Sequence, residues 1–324
     1  MNEVKISDSI VQTNYNSKRT PISRFIKDLK KSSGLIFLAL PGFILIFIFA
    51  YIPLYGLVLP FQQYKYDLGF LHSPWSGFDN FKFLFNGNVM LRAVRNTICY
   101  NVVFIVLGTF MSVTFGLILF ELGRKSVKVY QTILFIPYFI SWVVASFAFN
   151  ALFDMEHGVL NELLKELGKE PILWYNETKY WPFILVVVAV WKGLGYSAVI
   201  YYAALMGVDQ ELYEAAKIDG ATKLQQIRSI SIPMLTPMIV LMSVLSVGRI
   251  LNSDFGLFYN VTLNSRMLYP VTDVIDTFVY RALMDVGDMG MASAAGFCQS
   301  VVGFFLVITV NFVVKKISEE NAIF

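Results

Sequence analysis

Six apolar runs, each about 20 residues long, constrain this chain more than any other feature. They cover 35–59, 97–120, 129–149, 181–205, 233–254 and 292–314. A helix rises 1.5 Å per residue, so about 20 apolar residues cross the hydrocarbon core of a bilayer. In that medium every backbone N–H and C=O must be satisfied within the segment, which restricts spanning structures to helices and closed barrels. The runs predict an all-α polytopic membrane protein with six transmembrane helices. Composition agrees: 56% of the 324 residues are apolar and mean hydropathy is +0.60. Only 15% are charged, against about 25% in an ordinary soluble domain. A disordered chain and a secreted disulfide scaffold are excluded.

A net charge of +3 gives no electrostatic footprint for nucleic acid. Cys99 and Cys298 lie in apolar stretches and read as small buried hydrophobes. His72 and His157 have no neighbours at metal-ligand spacing, so no metal site is expected. The first run is too long for a signal-peptide core, and no small-x-small cleavage site follows it, so it reads as a retained span.

Lys and Arg set orientation. Seven lie in the arm 1–34 (Lys5, Lys18, Arg19, Arg24, Lys27, Lys30 and Lys31), and others follow spans two, four and six. Fifteen fall on the side of the termini and nine on the other, with Lys192 and Arg249 inside spans. Both termini are therefore expected to be cytoplasmic. The resulting organisation is an N-terminal arm 1–34, a first span 35–59, an extracytoplasmic loop 60–96, a five-span core 97–314 and a tail 315–324. Two more outer loops cover 150–180 and 255–291. Val159, Leu160, Leu163, Leu164 and Leu167 recur at helical spacing in the first of these. That pattern suits a helix lying on the membrane surface, and equally one packed on neighbouring loops.

The inner loop 206–232 is longer than a linker requires. Asp209 is placed to cap a short helix, with Glu211 in its first turn. Asp219-Gly220 can end that helix, Gly220 taking φ > 0. Thr222 and Gln225 have capping-box spacing for a second helix. Leu224, Ile227 and Ile230 then share one face, and Pro233 starts the next span. Ala215 and Ala216 are small enough to let another surface approach the backbone. Two readings fit: docking of a soluble partner, or a loop folded back on its own protein.

The segment Glu214-Ala215-Ala216, three residues, Gly220, nine residues, Ile230-x-Ile232-Pro233 resembles the EAA loop of ABC-importer permeases. The usual form has Leu before the proline, where this chain has Ile232. Leu40-Pro41-Gly42, Tyr51-Ile-Pro-Leu-Tyr-Gly56, Ser73-Pro-Trp-Ser-Gly77 with Asn80-Phe81, Arg95-Asn96-Thr97, Pro137-Tyr-Phe-Ile-Ser-Trp142 and Val271-Thr-Asp-Val-Ile-Asp-Thr277 look like the LplB-like branch of sugar permeases. The resemblance covers nearly the whole chain. It implies a type I ABC-importer permease fold in a bacterial cytoplasmic membrane, importing oligosaccharides or polysaccharide fragments. Tyr213, Glu214, Ala215, Ala216, Asp219 and Gly220, with Ile230 and Pro233, would form the loop that sits in a groove of the ATPase. The implied partners are a second related permease, an ATPase dimer holding ATP and Mg²⁺, an extracytoplasmic solute-binding protein and a glycan substrate. This chain has no G-x-x-x-x-G-K-[ST] phosphate loop and no hydrolytic constellation. It would carry no cofactor and hydrolyse nothing itself.

Lys192 lies roughly 15 Å into span four, too deep to snorkel, and is a functional candidate by position. Trp191 and Tyr196 beside it could stack on sugar faces. Alternatively Lys192 pairs with a carboxylate or with helix-end carbonyls of the partner permease. Arg249, Asn252 and Asp254 cluster at the outer end of span five, where the polar groups could bond sugar hydroxyls or stabilise a kink. Lys192 and Arg249 beside the path would favour anionic sugars such as uronates. Gln299 and Asn150 are weaker candidates, and Phe135, Tyr138, Phe139 and Trp142 read as packing or interfacial aromatics. A proton- or sodium-driven carrier is the competing class. Such carriers place acids within spans, whereas Glu121 and Asp254 here sit at span ends, and no inverted repeat of broken helices is visible.

Overall fold

The computed structural model describes residues 32–84 and 88–317. Most of the basic arm, residues 1–31, and the last seven residues lie outside these. The described residues are helical almost throughout; one isolated bridge, Gln62 to Trp75, is the sole β pairing among them. Five helices are long and apolar enough to cross a membrane, and a sixth crossing exists if one sharply bent pair counts as a span.

The chain divides into residues 1–57 and residues 58–324. In the first unit, α1 (Ser33–Ile46) continues through a π-helical turn at Phe47–Tyr51 into a 3₁₀ stretch. Pro41 lies inside α1, and Phe37, Phe43 and Phe49 are all exposed, as expected of an element whose solvent is lipid.

The second unit holds α2 (Asn88–Glu121), α3 (Arg124–Phe139), α4 (Trp142–Phe153), α5 (Val159–Glu166) and α6 (Trp181–Met206). It continues with α7 (Gln210–Ile218), then α8 (Lys223–Gln226), which passes through a π-turn into α9 (Ile232–Gly248). α10 (Ile275–Arg281) and α11 (Met289–Ile317) complete it. α2 and α6 form the most extensive helix pair. Small residues let the backbones close: a Cβ on Gly116 would lie 3.1 Å from Ala198 O. One on Gly195 would run into Leu134 O, and one on Gly303 would lie 2.6 Å from Gly248 O. Close approach through small residues is the usual currency of helix packing where no hydrophobic drive exists.

Three expectations about the spans are corrected. The run 129–149 is not one straight helix: α3 and α4 meet at 94° across Ile140-Ser141. Pro137, which removes a backbone donor, lies in the last turn of α3, and Ser141 Oγ accepts from Val144 N at 3.2 Å to start α4. The fifth span ends at Gly248, so Asn252 and Asp254 lie beyond the helix. The second span starts at Asn88, so part of 60–96 is helix rather than loop.

The outer segments are ordered by their own core. Tyr100 of α2 and Trp181, Leu185 and Val188 of α6 pack against Leu257, Phe258, Val261, Leu268 and Val274. Two of the motif segments meet here. Asn96 Nδ2 donates to Asp273 O (3.0 Å) and Pro270 O (3.3 Å), Ile275 N to Thr97 Oγ1 (3.0 Å), and Tyr100 OH to Val271 O (3.0 Å). Buried Asp273 pairs with Arg281 at 2.5 Å and lies 3.9 Å from Arg92. In the outer loop α5 forms as expected. Its buried Asn161 bonds Asp154 O and Ile172 O, so the helix is tied to neighbouring loops. Backbone N–H groups of His157 and Glu156 hold the Asp154 carboxyl below the usual carboxylate range.

Candidate functional site: an inner helix pair and a polar hollow

At the inner end, α7 and α8 take the local form their residues dictate. Asp209 Oδ1 accepts from Glu211 N at 3.0 Å and caps α7. Gly220 adopts φ +80° and closes α7 with two bonds: its own N–H to Lys217 O (3.2 Å) and Ala221 N to Ala216 O (2.9 Å). This is the Schellman arrangement, which uses up two orphan carbonyls. Thr222 and Gln225 make a reciprocal capping box on α8.

The pair is anchored on one side and bare on the other. Tyr213 OH lies 3.0 Å from buried Ser231 Oγ, and its ring lies 5.4 Å from Phe120 at the end of α2. Lys223 meets Glu121 at 2.6 Å. Ala216, Ile227 and Ile230 are half-buried, whereas Glu214, Ala215, Asp219, Gly220 and Pro233 are exposed. Ile218 is 87% exposed and Leu224 75% exposed. Leu224 therefore does not share a buried face with Ile227 and Ile230. The helix pair is thus fixed to the end of α2 on one side and leaves the apolar side chains of Ile218 and Leu224 bare on the other.

The candidate path residues divide among three cavities. The first, about 310 Å³, is lined by Phe104, Ser112, Tyr138, Trp142, Lys192 and Asp254 among others. The second, about 360 Å³, includes Asn101, Thr109, Tyr196, Ser246, Arg249 and Asn252. They share Phe104, Gly108, Ser112 and Ser197, and so adjoin as the two parts of a hollow along α2 and α6. Trp191 belongs to neither. It lines a separate, apolar cavity against α4 and packs edge-on to Phe149 at 5.8 Å. Its helix position turns it away from Lys192, its neighbour in sequence.

Lys192 is already engaged. Its ammonium donates to Pro137 O (3.2 Å), which also accepts from Ile140 N, and to Tyr138 O (3.0 Å) and Ile140 O, the carbonyls where α3 breaks. It also lies 5.1 Å from the centroid of Trp142. A cation at a helix C-terminus meets both the orphan acceptors and the negative end of the dipole. The helix-end carbonyls it serves belong to this chain, not to a partner. Trp142 Nε1 donates to Asp254 Oδ2 at 2.8 Å, and Asp254 Oδ1 accepts from Leu257 N at 3.3 Å. Asp254 thus joins the broken span to the outer segment after α9. Tyr196 stacks on Tyr138, 4.9 Å apart and 12° from parallel.

Sequence reading missed Asn101, a lone amide in an apolar run. Its Nδ2 donates to Ile250 O (2.8 Å) and Asn252 O (3.0 Å), while Gln299 Nε2 donates to Leu251 O at 2.7 Å. It also gave Trp142 a packing or interfacial role only. The available signal was a polar or amphipathic side chain within a span, which in lipid needs a partner.

Residues 104–319 match the family described as "Binding-protein-dependent transport system inner membrane component". Protein LplB of Bacillus subtilis (strain 168) is 33% identical, over 90% of this chain and 92% of its own length. The polygalacturonan/rhamnogalacturonan transport system permease protein YteP of the same organism is 32% identical, over 94% of each. Among solved structures, a chain of a bacterial ABC transporter involved in import of the acidic polysaccharide alginate superposes with a TM-score of 0.82 and 30% identity. The superposition covers 91% of this chain and 99% of that one.

Proposed function

The chain belongs to the family of binding-protein-dependent transport permeases, inner-membrane components of ABC importers and not themselves ATPases. On that premise we infer that it forms half of the translocation path of an ATP-driven importer for oligosaccharides or polysaccharide fragments. A second related permease would supply the other half. A separate ATPase dimer would hold ATP and Mg²⁺, and an extracytoplasmic binding protein would deliver the glycan. Polygalacturonan and alginate appear in the names of similar systems, which supports a polymeric sugar as cargo.

The observation that carries the coupling role is the bare face of α7 and α8. Ile218 and Leu224 face outward while Tyr213 and Lys223 tie the same helices to the end of α2. Closure of the ATPase on ATP would displace the helix pair, and α2, which lines both cavities of the hollow, would move with it. Rigid contacts at each step are what such a two-state transition requires. Lys192, Trp142 and Asp254 position the walls, and Tyr196, Arg249 and Asn252 present aromatic and polar groups to the cargo.

The test is a mild-detergent pulldown of the chain from native membranes with mass spectrometry of what accompanies it. A second six-span permease and an ATPase are expected. A chain that purifies alone and still carries solute in liposomes would overturn the reading. Uptake should also survive collapse of the proton gradient while ATP is maintained.

A further inference from the structure

The two cations on the path have different fates. Lys192 spends its donors on three backbone carbonyls, and Asp254 shares its cavity, so that cavity holds one charge of each sign, each already bonded. Arg249 is the single charged residue lining the second cavity. Its guanidinium has no hydrogen-bond or ion-pair partner among the described residues, and the same holds for the side-chain amide of Asn252.

The backbone that carries these two side chains is fixed. Arg249 ends α9, and Asn252 N donates to Arg249 O at 2.9 Å to close a tight turn. Asn101 of α2 holds the carbonyls of Ile250 and Asn252, and Gln299 of α11, itself buried, holds that of Leu251. Three consecutive carbonyls beyond a helix end are thus satisfied by amides from two other helices. A turn immobilised this way displays Arg249 and Asn252 without using them. Prepaid ordering of this kind is what a recognition site needs. The guanidinium fork matches a carboxylate in two parallel bonds, an amide matches vicinal hydroxyls, and Tyr196 offers a ring in the same cavity.

We propose that Arg249, with Asn252, binds the carboxylate of a sugar residue passing through the second cavity, so that the cargo of this importer is a uronate-type acidic oligosaccharide. This rests on the hollow being part of the translocation path. Lys192 is excluded as the reader of that charge.

The experiment uses the complete complex with its binding protein in proteoliposomes. The probes are a uronate tetrasaccharide and its carboxyl-reduced neutral counterpart, each saturating the binding protein. Delivery is then the same in every variant, and the ratio of the two uptake rates reports the path alone. Loss of a charge-assisted bidentate contact predicts that Arg249→Met lowers uronate uptake about 10- to 100-fold while neutral uptake stays within about twofold. Arg249→Lys keeps the charge without the fork and should fall between. Lys192→Met should move both rates together. Equal losses of both sugars in Arg249→Met, with normal amounts in the membrane, would overturn the proposal and assign Arg249 to a contact with the second permease. An unchanged ratio would overturn it too. Wild-type uptake of the neutral sugar alone would refute the acidic cargo while sparing the importer. Uptake of neither sugar by wild-type complex would refute the glycan-path reading on which the proposal stands.

Discussion

Replacing Gly220 separates backbone strain from lost contact at the turn between α7 and α8, the segment proposed to dock the ATPase. The residue sits at φ +80°, and a Cβ built there meets nothing within 4 Å. No clash contributes, so the cost of a substitution is conformational. A left-handed L-residue costs about 1–2 kcal/mol, and a β-branched one lies toward the upper end of the 1–3 kcal/mol range for strained backbone. At about 2 kcal/mol, Gly220→Val reduces the population of the closed turn roughly 30-fold relative to its open forms. The bonds at stake are Gly220 N to Lys217 O and Ala221 N to Ala216 O, which fix where α8 begins relative to α7. Spans far from the turn are untouched, so the chain should reach the membrane in normal amounts. In the reconstituted complex, stimulation of ATP hydrolysis by the loaded binding protein should fall sharply, and uptake with it. Asn tolerates the left-handed region, so Gly220→Asn should be much milder, with Gly220→Ala between the two. Normal uptake in Gly220→Val would refute the coupling assignment. An Asn variant as damaged as the Val variant would refute strain as the cause and point to side-chain volume against the ATPase.

Other perturbations test other parts of the same structure. Lys192→Met takes the ammonium donor from Tyr138 O and Ile140 O at the break between α3 and α4, while Pro137 O keeps its bond from Ile140 N; thermal unfolding in detergent should show a loss of about 1–3 kcal/mol, and Lys192→Arg a smaller one. Asp273→Asn leaves Arg281 facing a neutral group inside the outer core, and a loss of about 3 kcal/mol is expected from the same melt. Tyr213→Phe removes one hydrogen bond to Ser231 and keeps the ring against Phe120, so stability should drop by about 1 kcal/mol, with binding-protein stimulation of the ATPase reduced rather than abolished.

The spans were legible because a bilayer enforces length and hydropathy together. The local form of the inner loop 206–232 was legible because caps and turns are local chemistry: Asp209, Gly220 and the Thr222–Gln225 box adopt the geometry their residue types favour. The break at Ile140-Ser141 was not legible. Pro137 is compatible with a straight or a broken span, since neighbours in a membrane bundle can satisfy what a proline frees. Nor could spacing reveal that Asn96 and Thr97 bond the segment around Asp273, more than 170 residues away. Arg249, Asn252 and Asp254 form one cluster in sequence yet line two cavities, because α9 stops at Gly248 and the chain turns before Asp254.

Polar side chains in a span sort by what the backbone demands of them. At two places among the described residues a helix breaks or ends within the core, and a polar group from another helix bonds the carbonyls left there. Lys192 does so for the end of α3, and Asn101 and Gln299 do so beyond the end of α9. Lys192 and Gln299 look functional in the sequence because they are polar in an apolar run, yet their donors, like those of Asn101, are consumed by structure. Depth in the membrane therefore does not distinguish a ligand-binding side chain from a structural one. What distinguishes them is whether donors remain once the broken backbone has been satisfied. By that criterion Lys192 leaves the candidate recognition set. Arg249, nearer the outer end and on a turn held by other amides, stays in it.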